Sequence, residues 1–85
     1  MLQSLAWRAT DNLAREQLEI FHALGDEISL GRDDRRRALD LDDDIWTSWQ
    51  DFLAHGPLPA EPPLPEMLRR LATATFRLSI ITGER

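Results

Sequence analysis

A proline-rich segment limits what this chain can fold into more than any other feature. Residues 57–65 read PLPAEPPLP. Proline has no backbone N–H and fixes φ, so this segment fits neither a helix interior nor a central strand. We expect an extended connector there, and we interpret it as a stiff bridge between packed helices in preference to a polyproline ligand. The core must therefore come from the residues on either side of it.

The chain before the connector begins with a helical pattern. Apolar side chains recur at helical spacing and predict a first helix over 2–24 that ends at Gly25. Thr10 and Asp11 are good capping residues, so the pattern allows a break there. The predicted stripe is formed by Ala6, Ala9, Leu13, Ile20 and Leu24, and it is widened by Leu18 and Phe21.

The next segment predicts two shorter helices joined by a tight turn. The second helix covers 32–39, and the third runs from its cap, Asp42, to about His55 before Gly56. At the turn, Asp40 tolerates a left-handed backbone. The apolar contacts are predicted to come from Ala38, Leu39 and Leu41 and from one side of the third helix, Ile45, Trp49 and Phe52, flanked by Trp46 and Leu53.

The clearest helical pattern follows the connector. It covers 66–82, begins at Pro65–Glu66 and ends at Gly83. Its apolar residues form a narrow seam, and we keep two interpretations open, a central core helix and pairing with another chain. The seam comprises Leu64, Met67, Leu71, Ala74, Leu78 and Ile81, with Leu68, Phe76 and Ile80 beside it.

These patterns predict an all-α fold. No convincing strand or internal repeat is present, so we expect residues 1–85 to form one small domain of four to five helices. A helix-turn-helix-like core at about 30–55 is joined by the connector to a long apolar C-terminal helix. No apolar run approaches the roughly 18–20 residues of a membrane span, and no signal peptide is seen. We therefore expect a soluble cytoplasmic protein.

The residue types argue against an enzyme or a metal protein. There is no Cys, and His22 and His55 have no H-x-x-x-H partner. The run from Asp40 to Asp44 starts like a calcium loop, but Ile45 stands where that loop needs Gly. Neither a nucleophile elbow nor a glycine-rich phosphate loop is seen. We expect no catalytic residues, no cofactor and no bound metal.

The net charge of −5 is concentrated in one part of the chain. The window from Asp26 to Asp51 holds nine acids and four arginines, whereas acids and arginines balance elsewhere. The run Arg35–Arg37 lies among aspartates and is interpreted as a solvated face. A window this negative is poorly suited to a phosphate backbone.

The order of residues from Leu30 to Trp49 carries a family resemblance. It reads LGRDDRRRALDLDDDIWTSW and resembles the helix-turn-helix of the Xre/MbcA/ParS-type antitoxins, with its apolar pair, turn, small polar cap and closing tryptophan. The run from Leu64 to Leu78 is similar to the long apolar helix that follows in those proteins. Over 13–82, the resemblance implies an all-α regulatory protein of the antitoxin type.

The chain departs from that family in three respects. Asp40 stands at the turn where Gly is usual, and Arg35 and Arg36 occupy positions that are usually apolar or small. The family's C-terminal toxin-binding segment has no counterpart before Arg85. The resemblance therefore implies a free-standing N-terminal module or a shortened relative.

Electrostatics favours a protein partner over DNA. Bases are read by hydrogen-bond donors, and among the residues that would face a groove only Gln50 is a good reader. We predict a small antitoxin-like regulatory module that self-associates as a homodimer and binds a toxin or a basic nucleic-acid-binding protein. The predicted partner-binding residues are Asp43, Asp44, Trp46, Thr47 and Gln50, and the predicted oligomer seam is Leu71, Leu78 and Ile81.

Two alternatives stay open at this point. A DNA-binding autoregulator of the Xre type would bind DNA through Arg35, Arg36, Ser48 and Gln50. An acidic decoy that imitates DNA would instead compete with DNA for one basic protein. A gel shift with DNA from its own upstream region separates the autoregulator from the protein-binding hypothesis.

Overall fold

A computed structural model describes the chain from Leu2 to Gly83, with side chains from Thr10 onwards. The described residues form four α-helices and contain no strand, which confirms the all-α prediction. None of these helices is both long and apolar enough to cross a membrane. The helices are α1 (Leu2–Glu27), α2 (Arg32–Ala38), α3 (Asp43–Ala54) and α4 (Leu64–Thr82).

The core forms between α1 and α4, which pack along each other. The aromatic side of α3 packs against this pair of helices. The stripe of α1 is centred on Ala14, Leu18 and Phe21, all fully buried. The predicted centre was wrong, because Leu13 and Ile20 are 44% and 41% exposed. A shift of one residue turns the buried stripe by about 100° around the helix, which leaves Leu13 and Ile20 toward solvent. Ala6 and Ala9 lie outside the residues whose side chains are described.

The end of α1 differs from the prediction. Gly25 does not stop the helix, which continues to Glu27, and no break occurs near Thr10. The chain reverses at Ser29, whose φ is 54°, and the Leu30 N–H donates to the Gly25 carbonyl at 2.8 Å. Gly25 is buried instead beside α2, where a Cβ would lie 3.0 Å from the guanidinium of Arg35.

The turn between α2 and α3 follows the sequence closely. Asp40 has a φ of 55°, so it adopts the left-handed backbone that an aspartate tolerates. Leu39 and Leu41 on either side of it are buried, whereas Ala38 is exposed, contrary to its predicted apolar contact. Asp42 has the extended backbone of an N-cap, but its side chain makes no capping hydrogen bond.

The connector is packed against α3. The indole Nε1 of Trp49 donates to the Glu61 carbonyl at 2.9 Å, and Pro62 is buried. Helix α4 begins at Leu64, two residues before the predicted start, with Pro65 in its first turn. Proline fits there because the first N–H groups of a helix have no partner within it. Four residues of α4 are buried in the core: Met67, Leu71, Ala74 and Leu78.

Candidate functional site

Arg35 shows how the arginines of this chain are used. Its Nε donates to the Leu30 carbonyl at 2.8 Å, its Nη2 to Asp26 at 2.7 Å, and its Nη1 to His22 Nδ1 at 3.1 Å. Only 15% of the side chain is exposed. The prediction that Arg35 belongs to a solvated face, or contacts a phosphate, is therefore wrong, because its donors hold α2 against α1.

Two more arginines hold carbonyl groups at the end of α2. Arg36 donates to the Leu41 carbonyl at 2.9 Å. Arg70, on α4, donates to the carbonyls of Leu39 and Asp40 at 3.3 and 2.8 Å. Leu39, Asp40 and Leu41 form the turn that follows α2, so these charged donors fix the turn to α2 and to α4.

Arg15 does the same for α3. Its Nη1 donates to the carbonyls of Phe52 and Leu53 at 2.6 and 3.0 Å, and its guanidinium lies 4.3 Å from the centre of the Phe52 ring. The long arginine stem covers apolar surface while the head reaches the carbonyls. Arginines of this kind support the fold and are not free to bind phosphate.

The exposed arginines in this region pair with acids. Arg32 lies 2.7 Å from Asp43, and Arg37 lies 3.8 Å from Asp34. On α4, hydrogen bonds from Arg69 and then from Arg70 lower the pKa of Glu66 to about 2. Surface pairs of this kind contribute little stability, but they neutralise the cations they contain.

We define the acidic face as the exposed carboxylates of Asp42, Asp43, Asp44 and Asp51 on and before α3. Asp43 pairs with Arg32. Within the described residues, the carboxylates of Asp42, Asp44 and Asp51 make no ion pair and accept no hydrogen bond. Asp42, Asp43 and Asp44 lie at the N-terminus of α3, the positive end of its helix dipole. The face therefore presents unneutralised negative charge to solvent.

The predicted partner-binding residues do not all lie on this face. Asp43, Asp44 and Thr47 are exposed, and the Thr47 hydroxyl donates to the Asp43 carbonyl at 3.1 Å. Trp46 is only 4% exposed, so its predicted contact with a partner is wrong. Gln50 is partly buried, and its Nε2 atom is buried without a partner in the described structure.

Trp46 and Gln50 instead belong to a cluster around His22 that the sequence did not predict. The Trp46 ring lies edge-on to the imidazole at 5.6 Å. Burial lowers the pKa of His22, the neighbouring polar side chain of Gln50 opposes this shift, and the positive charge of Arg35 lowers the pKa further. A neutral imidazole fits this position, because Nδ1 must accept the proton that Arg35 donates.

The side chains predicted by the DNA-binding alternative also make contacts within the chain. Arg35 and Arg36 donate to backbone carbonyls, and the Ser48 hydroxyl donates to the Asp44 carbonyl at 3.2 Å. Gln50 faces His22. None of these four contacts is visible as a sequence pattern, because the acceptors are mostly backbone atoms.

The predicted oligomer seam is wrong for two of its three residues. Leu71 and Leu78 are buried within the chain, whereas Ile81 is 55% exposed. The large apolar side chains that α4 leaves exposed are Phe76, Ile80 and Ile81. We call these three residues the α4 stripe.

A groove runs between α3 and the connector. It consists of two adjoining depressions, of about 440 and 450 Å³, that share Ile45 and Glu61. The first is also lined by Ser48, Asp51 and residues 57–60, and the second by Asp40, Asp42, Pro62, Pro63 and Arg70. Sequence reasoning missed this groove, because it exists only through the way the connector lies on α3.

In the part of the chain described here, no group of three or more His, Cys, Asp or Glu residues is arranged to hold a metal ion. Comparison with protein-family models, with curated proteins and with solved structures found no match for this chain.

Proposed function

We propose that this protein is a small antitoxin-like regulatory module that acts by binding another protein. In this proposal α2, the turn at Asp40 and α3 form a helix-turn-helix-like unit whose outer surface serves a protein partner. The observation that supports it most is the division of charge: arginines such as Arg35 and Arg36 are directed inward, and aspartates such as Asp44 are directed outward.

This division disfavours DNA as the partner. Proteins that bind DNA gain much of their affinity from cations that replace counterions at phosphates. Around α3 the exposed cation, Arg32, is paired with Asp43, whereas Asp42, Asp44 and Asp51 carry unpaired charge. The same charges attract a basic protein and accelerate its encounter with this surface. A toxin or a nucleic-acid-binding protein with a basic surface has the required chemistry.

We also propose that the chain self-associates, through the α4 stripe. Two copies that met through their acidic faces would repel each other, because a twofold interface places the same residues on both sides. The stripe of Phe76, Ile80 and Ile81 is apolar and exposed. Sedimentation equilibrium over a range of concentrations should show dimers that Phe76→Ser weakens. An unchanged monomer–dimer equilibrium would remove the stripe from the proposal.

The protein-binding proposal is tested by co-expression with each protein encoded beside this one. One neighbour should inhibit growth when expressed alone, be captured by this chain and be neutralised by it. Charge reversal at Asp43 and Asp44 to Lys should abolish capture while the circular dichroism stays that of wild type. The matched control reverses Glu16 and Glu19, which are exposed on α1. Equal capture by the D43K/D44K variant would contradict the proposal.

A further inference from the structure

We infer that the groove between α3 and the connector binds an extended basic segment of the partner, with one apolar side chain of that segment against Ile45. This inference rests on the proposed function and assigns the partner's contact to one part of the surface. Each half of the groove, at about 440 and 450 Å³, is at the small end of ligand clefts of roughly 300–1,000 Å³. Each depression can hold single side chains of an extended segment but not a folded domain.

The groove is held in shape before anything binds. The Trp49 indole donates to the Glu61 carbonyl at 2.9 Å, and the buried Pro62 follows directly. The prolines of the connector restrict its backbone. A wall that is already ordered loses little conformational entropy when a ligand binds, so even a shallow groove can give useful affinity.

The middle of the groove is apolar. Ile45 is partly exposed and contacts both depressions, and Leu58 and Pro59 line the wall opposite it. A basic segment made only of charged side chains would leave this surface uncovered. A leucine or isoleucine with a cation two positions away on either side would cover it, because side chains two positions apart in an extended segment lie on the same face.

The rim of the groove is acidic. Asp42, Asp51 and Glu61 line it, and their carboxylates accept no hydrogen bond within the described residues. The cation that lines it, Arg70, donates to Glu66 and to the Asp40 carbonyl. The groove therefore has excess negative charge along its length.

This distribution identifies the occupant. The carboxylates are too dispersed for one metal ion, since no three such residues of the described chain are arranged as ligands. A nucleic acid would be repelled. A second copy of this chain has the same net negative charge, and the arginines described on α1 and α2 are engaged with their own chain. Arginine or lysine side chains of one partner segment supply the positive charge that these separate carboxylates lack.

The inference is tested with a labelled synthetic peptide in which arginines flank one leucine, measured by fluorescence anisotropy against the full chain. Asp51→Asn combined with Glu61→Gln should weaken binding about fivefold to tenfold, because two charge-assisted contacts are lost. Glu16→Gln combined with Glu19→Gln is the matched control and should bind as wild type does. Replacing the peptide's leucine by serine should weaken binding about fivefold, because the apolar surface of Ile45 then remains exposed to water.

The outcomes separate the groove from the proposed function. Equal binding by the D51N/E61Q variant and its control, or equal binding of the two peptides, would overturn the groove as the site. If binding then depended on Asp43 and Asp44 (tested as D43N/D44N), the acidic face would still bind a basic partner, and only this inference would fail. If the leucine peptide did not bind the wild-type chain, both would fail.

Discussion

Helices α2 and α4 are held in place by different forces. Four residues of α4 are buried in the core, whereas α2 buries none of its own. Arg35, Arg36 and Arg70 hold α2 instead, through hydrogen bonds to backbone carbonyls and to side chains of α1. Apolar burial is proportional to area and insensitive to charge, but the hydrogen bonds of the guanidinium groups depend on particular donors and, at His22, on whether the accepting nitrogen is protonated. Substitutions and pH should therefore affect the two helices differently.

The largest effect is expected on the α4 side. Leu71→Ala removes a fully buried side chain, and the lost burial together with the cavity should lower the free energy of unfolding by about 3 kcal/mol. Urea denaturation measures this change. Thr73→Ala, at an exposed position of the same helix, is the control and should change stability by less than about 0.5 kcal/mol. A loss for Leu71→Ala as small as that of the control would show that α4 is not held by its apolar side.

A smaller loss is expected on the α2 side. Arg35→Ala removes the donors to Leu30 and His22 and should lower the free energy of unfolding by about 2 kcal/mol, since those acceptors are left without their partner. The matched control is Arg37→Ala, because Arg37 is exposed and only 3.8 Å from Asp34. Similar denaturation midpoints for the two variants would contradict the structural role assigned to Arg35.

The contact between Gly25 and Arg35 gives a sharper test of α2. Gly25→Ala alone should raise the free energy of unfolding very little, because the new Cβ would lie 3.0 Å from the Arg35 guanidinium that holds α2. In the Arg35→Ala background the same change should stabilise by about 1 kcal/mol, the helix-propensity difference between Ala and Gly. A double-mutant cycle in urea measures the coupling. Equal effects in both backgrounds would mean that Gly25 has no role in placing Arg35.

The smallest effect is expected from pH. Burial lowers the pKa of His22 in the folded chain below its ordinary 6.5. At a pH between the folded pKa and 6.5, the unfolded chain therefore binds more protons than the folded one. The free energy of unfolding should therefore fall as the pH is lowered through 6.5. His22→Asn should reduce this dependence, whereas His55→Asn, at an exposed position, should keep it. An unchanged pH profile for His22→Asn would contradict the arrangement around the imidazole.

The sequence predicted the helices well, because their signals are local. Helical spacing indicated all four elements, and Asp40 marked the left-handed turn. Gly25 shows the limit of such signals. A glycine near a helix end is equally consistent with the end of the helix and with close packing against a neighbouring element. The position of Arg35, on α2 beside Gly25, decides between them.

The candidate site was less predictable. Asp43 and Asp44 were predicted to be exposed and are exposed, because the aspartate run precedes an amphipathic helix. The direction of Arg35 and Arg36 was not predictable from charge spacing, because their acceptors include carbonyls that every residue possesses. The place of Trp46 was also missed, since the inner face of α3 is set by α1 and not by α3 alone.

The claim that the acidic surface binds protein and not DNA is tested most directly by a gel shift. Duplex DNA from the region upstream of the coding sequence is titrated with the full chain at several salt concentrations. Binding of the arginine–leucine peptide to the chain is measured at the same salt concentrations. We expect the peptide to bind and to be released by salt, and the DNA to stay unshifted throughout. DNA binding that weakens with salt and is lost in Arg36→Ala would contradict the account.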